Sequence, residues 1–284
     1  MTPEPRRHSL RQADEDARRS REVARTPQTE HPAYRLAFQD LDFLLRDELR
    51  PVRLQLELLK PEMLLHEAGI VSTFVFYGSA RIPAPEEADA FVACAPPERH
   101  AAAARLAAKS RFYAEARRLA FLASSCPCRA DGGRELVVCS GGGPSIMEAA
   151  NRGAADAGAP SIGLNVVLPH EQRPNAWVTP SLSFQFHYFA IRKMHFLMRA
   201  RAVAVFPGGY GTLDELFELL TLIQTGKMDP VPILLFGRDY WEGIINFSGL
   251  AEEGVIDPQD LSLFTFVETA EEAWDIVCRH LAEA

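Results

Sequence analysis

One pattern constrains this chain more than any other, and it occurs three times. A short run rich in apolar residues ends in a glycine-bearing loop, and a helical pattern or a surface excursion follows. The run at 71–77 ends at Gly78-Ser79-Ala80-Arg81. The run at 136–139 ends at Ser140-Gly141-Gly142-Gly143-Pro144, and the run at 202–206 ends at Pro207-Gly208-Gly209-Tyr210-Gly211. The runs are continuous rather than alternating, as expected of strands covered on both faces. Further strands are expected at 161–167, 231–236 and 264–267, and helices at 98–124, from 144 to about 157, and at 187–200, 212–225, 239–253 and 269–282. Residues 82–97 read as a surface excursion and 168–186 as a loop. Alternating strands and helices predict an α/β fold, a doubly wound parallel sheet with helices on both faces. Ligands bind such sheets at the carboxyl ends of the strands, which is where all three glycine loops fall.

Ahead of this region, residues 1–33 are polar and charged, with too little apolar surface to offset the entropy of ordering, and are expected to be a disordered tail. Residues 34–69 form an N-terminal helical extension. Leu41, Leu45, Leu49, Val52 and Leu56 recur at helical spacing, and Pro51 and Pro61 are expected to divide 36–67 into two or three pieces. Residues 70–284 make up the main domain.

The net charge of −8 argues against broad nucleic-acid binding, whose footprint is a basic surface. A local phosphate site is compatible with it. The five cysteines, at 94, 126, 128, 139 and 278, are too scattered for a disulfide framework. Cys126-Pro-Cys128 is the only close pair and reads as a plain loop. No apolar run approaches the roughly 18 residues of a membrane span, and the N-terminus lacks the apolar core of a secretory signal. The cytoplasm is therefore the expected compartment. No metal or cofactor is expected.

Gly208, Gly209 and Gly211 leave a strand and open a helix. Such a turn lets a ligand approach the backbone closely, and the helix's first amides and positive dipole end favour a phosphate. No lysine follows as in a P-loop, and the spacing does not fit Gly-x-Gly-x-x-Gly. Taken alone, the glycines fit a ligand-free strand-to-helix turn better than a ligand site. Thr212 is expected at the helix cap, and Thr212-x-x-Glu215 fits a capping box, so Glu215 reads either as a cap or as a chemical group. Arg192, about five residues into the preceding helix, lies only ~8 Å below the rim at 1.5 Å per residue, within reach of the 207–212 loop, and by position reads equally as a partner for that loop or as a solvated helix cation.

The segment 207–215, Pro-Gly-Gly-Tyr-Gly-Thr-Leu-Asp-Glu, is similar to the signature of the Lonely Guy (LOG) family, whose members hydrolyse the N-glycosidic bond of nucleoside 5′-monophosphates. Arg192-Lys193 sits at the spacing of that family's Arg-Lys pair. The loops at 78–81 and 141–144 resemble its earlier glycine loops, and Leu168-Pro169-His170-Glu171 resembles a substrate-contacting segment. The resemblance covers roughly residues 70–282. It implies a Rossmann-like fold, a catalytic pair Arg192 and Glu215, a 5′-phosphate site at Gly208, Gly209, Tyr210, Gly211 and Thr212, and a substrate-binding role for Leu213. It further implies binding roles for Lys193, Asp214, Thr221, Glu171, Gly78, Ser79, Gly142 and Gly143, and a homodimer.

The helical extension and the 82–97 excursion are absent from compact, plant-like members, so the chain looks closer to a longer bacterial branch. That leaves adenosine monophosphate, or another purine or pyrimidine monophosphate, as admissible as a cytokinin ribotide. Two other readings stay open: a nucleotide-binding sensor without turnover, and a carrier for a phosphorylated cofactor. Proteins of this family have often been labelled lysine decarboxylases. That chemistry needs a Schiff-base lysine in a pyridoxal phosphate pocket. Only Lys60, Lys109, Lys193 and Lys227 exist, and of these only Lys193 is expected near a glycine loop.

Overall fold

The computed structural model describes residues 12–125, 132–168 and 173–283. The chain divides into two compact units, 1–57 and 58–284. Within the described part of the first lie short helices, among them Ala13–Arg19, Pro27–Glu30 and Leu41–Leu44. Pro51 stands in the first turn of the helix Arg50–Glu67, where proline is tolerated. Pro61 lies inside that helix without ending it, contrary to the expected break. Pro61 and Leu65 are both buried, and their packing offsets the lost backbone hydrogen bond.

The second unit holds one seven-stranded sheet. Its strands are β1 (Thr73–Tyr77), β2 (Val137–Ser140), β3 (Ser161–Val166), β4 (Ser183–Phe186), β5 (Ala200–Val205), β6 (Ile233–Phe236) and β7 (Thr265–Val267). The order is β4-β3-β2-β1-β5-β6-β7 and every pair is parallel. This is the doubly wound Rossmann-like arrangement. The chain winds outward from β1 to one edge, returns, and winds to the other. The topological switch point lies between β1 and β5, at the ends of which stand the loops 78–81 and 207–211.

Alternation along the strands sorts their side chains to two faces. Phe74 and Phe76 pack on one side with Phe206 and Phe236, under the helices Arg111–Ser124, Ile146–Asp156 and Ala270–Glu283. Val75, Tyr77 and Cys139 pack on the other with Phe196, Leu216 and Trp241, beneath the helices Phe189–Leu197 and Tyr210–Gln224. Phe206 stacks on Phe236 with ring centroids 4.1 Å apart and faces Phe76 at 6.3 Å. Each such fully buried ring contributes roughly 1.5–3 kcal/mol of transfer free energy.

The structure departs from the sequence reading elsewhere too. β4 lies inside the stretch expected to be loop. Its Phe184 and Phe186 point inward while Gln185 is exposed, as an edge strand covered on one face requires. The helix expected at 98–124 is two, His100–Ala107 and Arg111–Ser124, and the one expected at 239–253 is also two, Arg238–Glu242 and Phe247–Glu252. The first break separates a segment on the rim of a cleft from one buried against the helix Ile146–Asp156. Among the described residues no helix is long and apolar enough to cross a membrane. Cys126-Pro-Cys128 lies outside the described residues.

Candidate functional site

The three glycine loops converge on one cleft of about 1040 Å³ at the carboxyl end of the sheet. Gly78, Ser79, Gly143, Gly208, Gly209, Tyr210, Gly211, Thr212, Leu213, Arg192 and Glu215 all line it. Each loop continues its strand beyond the sheet, so the parallel register alone brings together residues more than a hundred positions apart. Backbone bonds fix their relation: the Ser79 amide donates to the Pro207 carbonyl at 3.1 Å, and the Ile146 amide to the Ser79 carbonyl at 3.3 Å.

At the floor stand Arg192 and Glu215. Arg192 is the fourth residue of the helix Phe189–Leu197 and is buried. Its Nε donates to the Leu164 carbonyl at 2.7 Å, its Nη1 to Glu215 Oε1 at 3.2 Å, and its guanidinium lies 4.8 Å from the Phe196 ring centroid. The Glu215 side chain is 13% exposed. Burial raises its pKa from the ordinary carboxylate range to about 7; Arg192 opposes that rise and Asp214 adds to it. Tyr77 and Cys139 lie in the core on the same side of the sheet, and burial pushes the pKa of both well up. Their hydroxyl and thiol are neutral.

Glu215 is not part of a capping box. The helix opens at Tyr210 with Gly209 as N-cap, three residues earlier than a Thr212 cap would require. Thr212 is therefore the third helical residue, buried beneath Gly208, and Glu215 sits in the second turn. A helix starting at Tyr210 leaves its first amides without intrahelical acceptors, and these belong to the loop that lines the cleft. Gly208 is glycine for a steric reason: a Cβ there would lie 2.1 Å from Thr212 Oγ1.

The loop after β2 is shaped by a buried polar network. Ser140 Oγ donates to Asn151 Oδ1 at 2.8 Å and accepts from the Gly142 amide at 3.0 Å. Asn175 Nδ2 donates to the Gly143 carbonyl and to Asn151 Oδ1, each at 2.9 Å. Gly141, which the sequence reading did not assign, meets Arg192: a Cβ there would stand 2.7 Å from Nη2. The next helix begins at Ile146 after Ser145, whose φ of 66° is strained for a non-glycine residue. The Ser145 hydroxyl holds that geometry by donating to the Ile82 carbonyl at 2.6 Å.

Other expected residues stand elsewhere. Lys193 points away from the cleft and pairs with Asp214 at 3.2 Å and Glu218 at 3.1 Å. Thr221 is exposed, its hydroxyl donating to the Phe217 carbonyl one turn earlier, off the cleft. Gly142 lies behind the lining, its φ of 70° turning the loop. Glu171 lies outside the described residues. Conversely, Arg105, Lys109 and Tyr240, which no local pattern marked, line the cleft together with Arg81 of the first glycine loop. Lys109, not Lys193, is the lysine that reaches it. Tyr240, on the helix Arg238–Glu242, donates its hydroxyl to the Gly208 carbonyl at 2.6 Å. Among the described lining residues Glu215 is the only acid.

The family described as "Possible lysine decarboxylase" matches residues 147–277. The chain is 30% identical over 151 residues to cytokinin riboside 5′-monophosphate phosphoribohydrolase LOG3 of Arabidopsis thaliana, covering 50% of this chain and 69% of that protein. It is 29% identical over 143 residues to the probable cytokinin riboside 5′-monophosphate phosphoribohydrolase LOG4 of Oryza sativa subsp. japonica, covering 49% of this chain and 61% of that protein. Among solved structures, the Moco carrier protein from Chlamydomonas reinhardtii superimposes with a TM-score of 0.45 at 15% identity, covering 75% of this chain and 99% of that one. With the loop at 207–215 and more than two thirds of the Arabidopsis protein matched, the chain belongs to the Lonely Guy (LOG) family.

Proposed function

We propose that this chain binds a nucleoside 5′-monophosphate in the cleft and hydrolyses its N-glycosidic bond to free base and ribose 5-phosphate. The observation that carries the reading is the buried Arg192–Glu215 pair, 3.2 Å apart, on the floor of a glycine-loop cleft at the topological switch point. The names of the matched plant relatives point to the same reaction.

Cleavage of the ribose–base bond builds positive charge on the sugar. A carboxylate held in a poorly hydrated site stabilises that charge more than water would, and its geometry is set before the reaction begins. In this reading Glu215 faces the reacting ribose and aligns the attacking water. A carboxylate with a pKa of about 7 also accepts a proton from that water more readily than an ordinary one. Arg192 is fixed by the Leu164 carbonyl and holds Glu215 in place, opposing its protonation. The amides of 209–212 anchor the 5′-phosphate, so that binding energy remote from the reacting bond positions it. The homodimer and the cytoplasmic setting expected from the sequence are part of the proposal.

The test is incubation with adenosine monophosphate and chromatographic separation of adenine from nucleotide. Adenine release supports hydrolysis. Tight binding without release would leave a nucleotide sensor or carrier, and absence of both would remove the nucleotide reading. Cytokinin ribotides in the same assay decide the base.

A further inference from the structure

The cleft carries more positive charge than a single phosphate and one buried ion pair use. Arg192 and Glu215 neutralise each other. Arg81, Arg105 and Lys109 remain, and none has a carboxylate within 4.0 Å among the described residues. In a protein with 38 acidic and 30 basic side chains, the described lining of this cavity holds four cations, Arg81, Arg105, Lys109 and Arg192, against one acid, Glu215.

Two of them come from one place. Arg105 stands on the helix His100–Ala107 and Lys109 in the turn that ends it. Lys109 Nζ donates to the Arg105 carbonyl at 3.1 Å and lies 5.8 Å from the centroid of the Tyr240 ring. The hydroxyl of that ring is bonded to the Gly208 carbonyl. A chain of contacts thus sets the ammonium beside the loop proposed to hold the 5′-phosphate. The cleft, about 1040 Å³, also lies at the upper end of the roughly 300–1,000 Å³ typical of small-molecule pockets.

We propose that Arg105 and Lys109, with Arg81 of the first glycine loop, form a second phosphate subsite beside the 207–212 loop, so that the protein binds nucleoside 5′-diphosphates more tightly than monophosphates. The assignment of the first subsite rests on the function proposed above. The second rests on the cations alone. Two flexible cations suit a β-phosphate that extends past the loop amides, because lysine and arginine reach a charge without demanding one fixed geometry. The diphosphate then competes with the monophosphate for the cleft.

Calorimetric titration of the full chain with adenosine monophosphate, adenosine diphosphate and inorganic pyrophosphate tests this, in a Glu215→Gln background so that the monophosphate is bound and not cleaved; wild type here means unaltered at positions 105 and 109. The wild type is expected to bind the diphosphate roughly tenfold or more tightly than the monophosphate at low salt, with the ratio shrinking as ionic strength rises. The double variant Arg105→Ala, Lys109→Ala is expected to bring that ratio to about one and to lose pyrophosphate binding. Both positions are solvent-facing or half-buried, so the fold is expected to survive, and circular dichroism checks it. A wild-type ratio near one, or a ratio that persists in the variant, overturns the subsite. Pyrophosphate binding that depends on Arg105 and Lys109 while neither nucleotide binds would keep the subsite and remove the nucleotide reading. No binding of any of the three removes both.

Discussion

Arg192 meets Glu215 from a different helix, Nη1 to Oε1 at 3.2 Å, while the same guanidinium is tied by Nε to the Leu164 carbonyl of β3. The carboxylate is thus held by a cation that is itself fixed to the sheet. Glu215→Gln keeps the size and the bond to Arg192 but removes the charge. In the proposed mechanism kcat falls by roughly a hundredfold or more, since preorganised charge often contributes about 3 kcal/mol to a barrier. Monophosphate binding survives, because the loop is untouched. Arg192→Ala is equally inactive and the double variant hardly worse, as groups acting together are non-additive. Near-wild-type turnover in a folded Glu215→Gln protein would sink the mechanism.

The raised pKa of Glu215 sets a pH dependence. The ionised form is the one that stabilises a cationic sugar, so kcat is expected to rise with pH, reach half its plateau near 7, and stay level above. A profile flat from about pH 5.5 to 8.5 would count against this role. Stability runs the other way. The folded protein holds a proton on Glu215 that the unfolded chain releases between the ordinary carboxylate pKa of 4.5 and about 7. The contribution is full below that window and lost across it as pH rises. Urea unfolding at stepped pH is expected to show this slope in the wild type and not in Glu215→Gln.

Gly208 tests the loop. A methyl group at this position would fall 2.1 Å from Thr212 Oγ1 and 2.6 Å from its Cβ, so the loop or the first helical turn must shift. Gly208→Ala is expected to cost about 1–3 kcal/mol of stability, in the range of overpacked sites. It is also expected to remove most of the preference for adenosine monophosphate over adenosine, read as the ratio of their kcat/KM values. In the wild type that ratio is expected to be large, and equal values for nucleoside and monophosphate would refute the phosphate assignment.

These readings had unequal visibility in the sequence. The glycine loops were legible because strand, glycine and helix follow one another locally, and parallel strands carry such loops to one end. Spacing placed Arg192 and Glu215 near that loop but left each with a purely structural reading, and only the resemblance to the Lonely Guy (LOG) signature joined them as a pair. The start of the helix at Tyr210 was not, because Thr212-x-x-Glu215 satisfies a capping pattern equally well. β4 escaped notice because only two of its four residues face the core. Arg105, Lys109 and Tyr240 reach the cleft through tertiary packing and the 108–110 turn, which leave no local signature. Thr221 shares a helix with Glu215, but six positions at about 100° per residue carry it to another side.

A prediction remote from the cleft concerns Gly153. On the helix Ile146–Asp156 it faces Arg111–Ser124 so closely that a Cβ would stand 2.1 Å from the Arg117 carbonyl oxygen. Backbone cannot yield as a flexible side chain does. Gly153→Ala is expected to destabilise the fold by about 1–3 kcal/mol or more despite alanine's better helix propensity. An unchanged melting temperature would show that the two helices separate at little cost.

The Tyr240 hydroxyl holds the Gly208 carbonyl, so the peptide plane between Gly208 and Gly209 cannot turn over without breaking a 2.6 Å bond. Trans geometry keeps the Gly209 N–H on the side opposite that carbonyl. Two adjacent glycines would otherwise resist little a flip that exchanges donor for acceptor. The tyrosine works as a latch on the loop's polarity, applied from a neighbouring strand–helix unit. Chain bare enough to admit a ligand is thereby kept electrically one-sided.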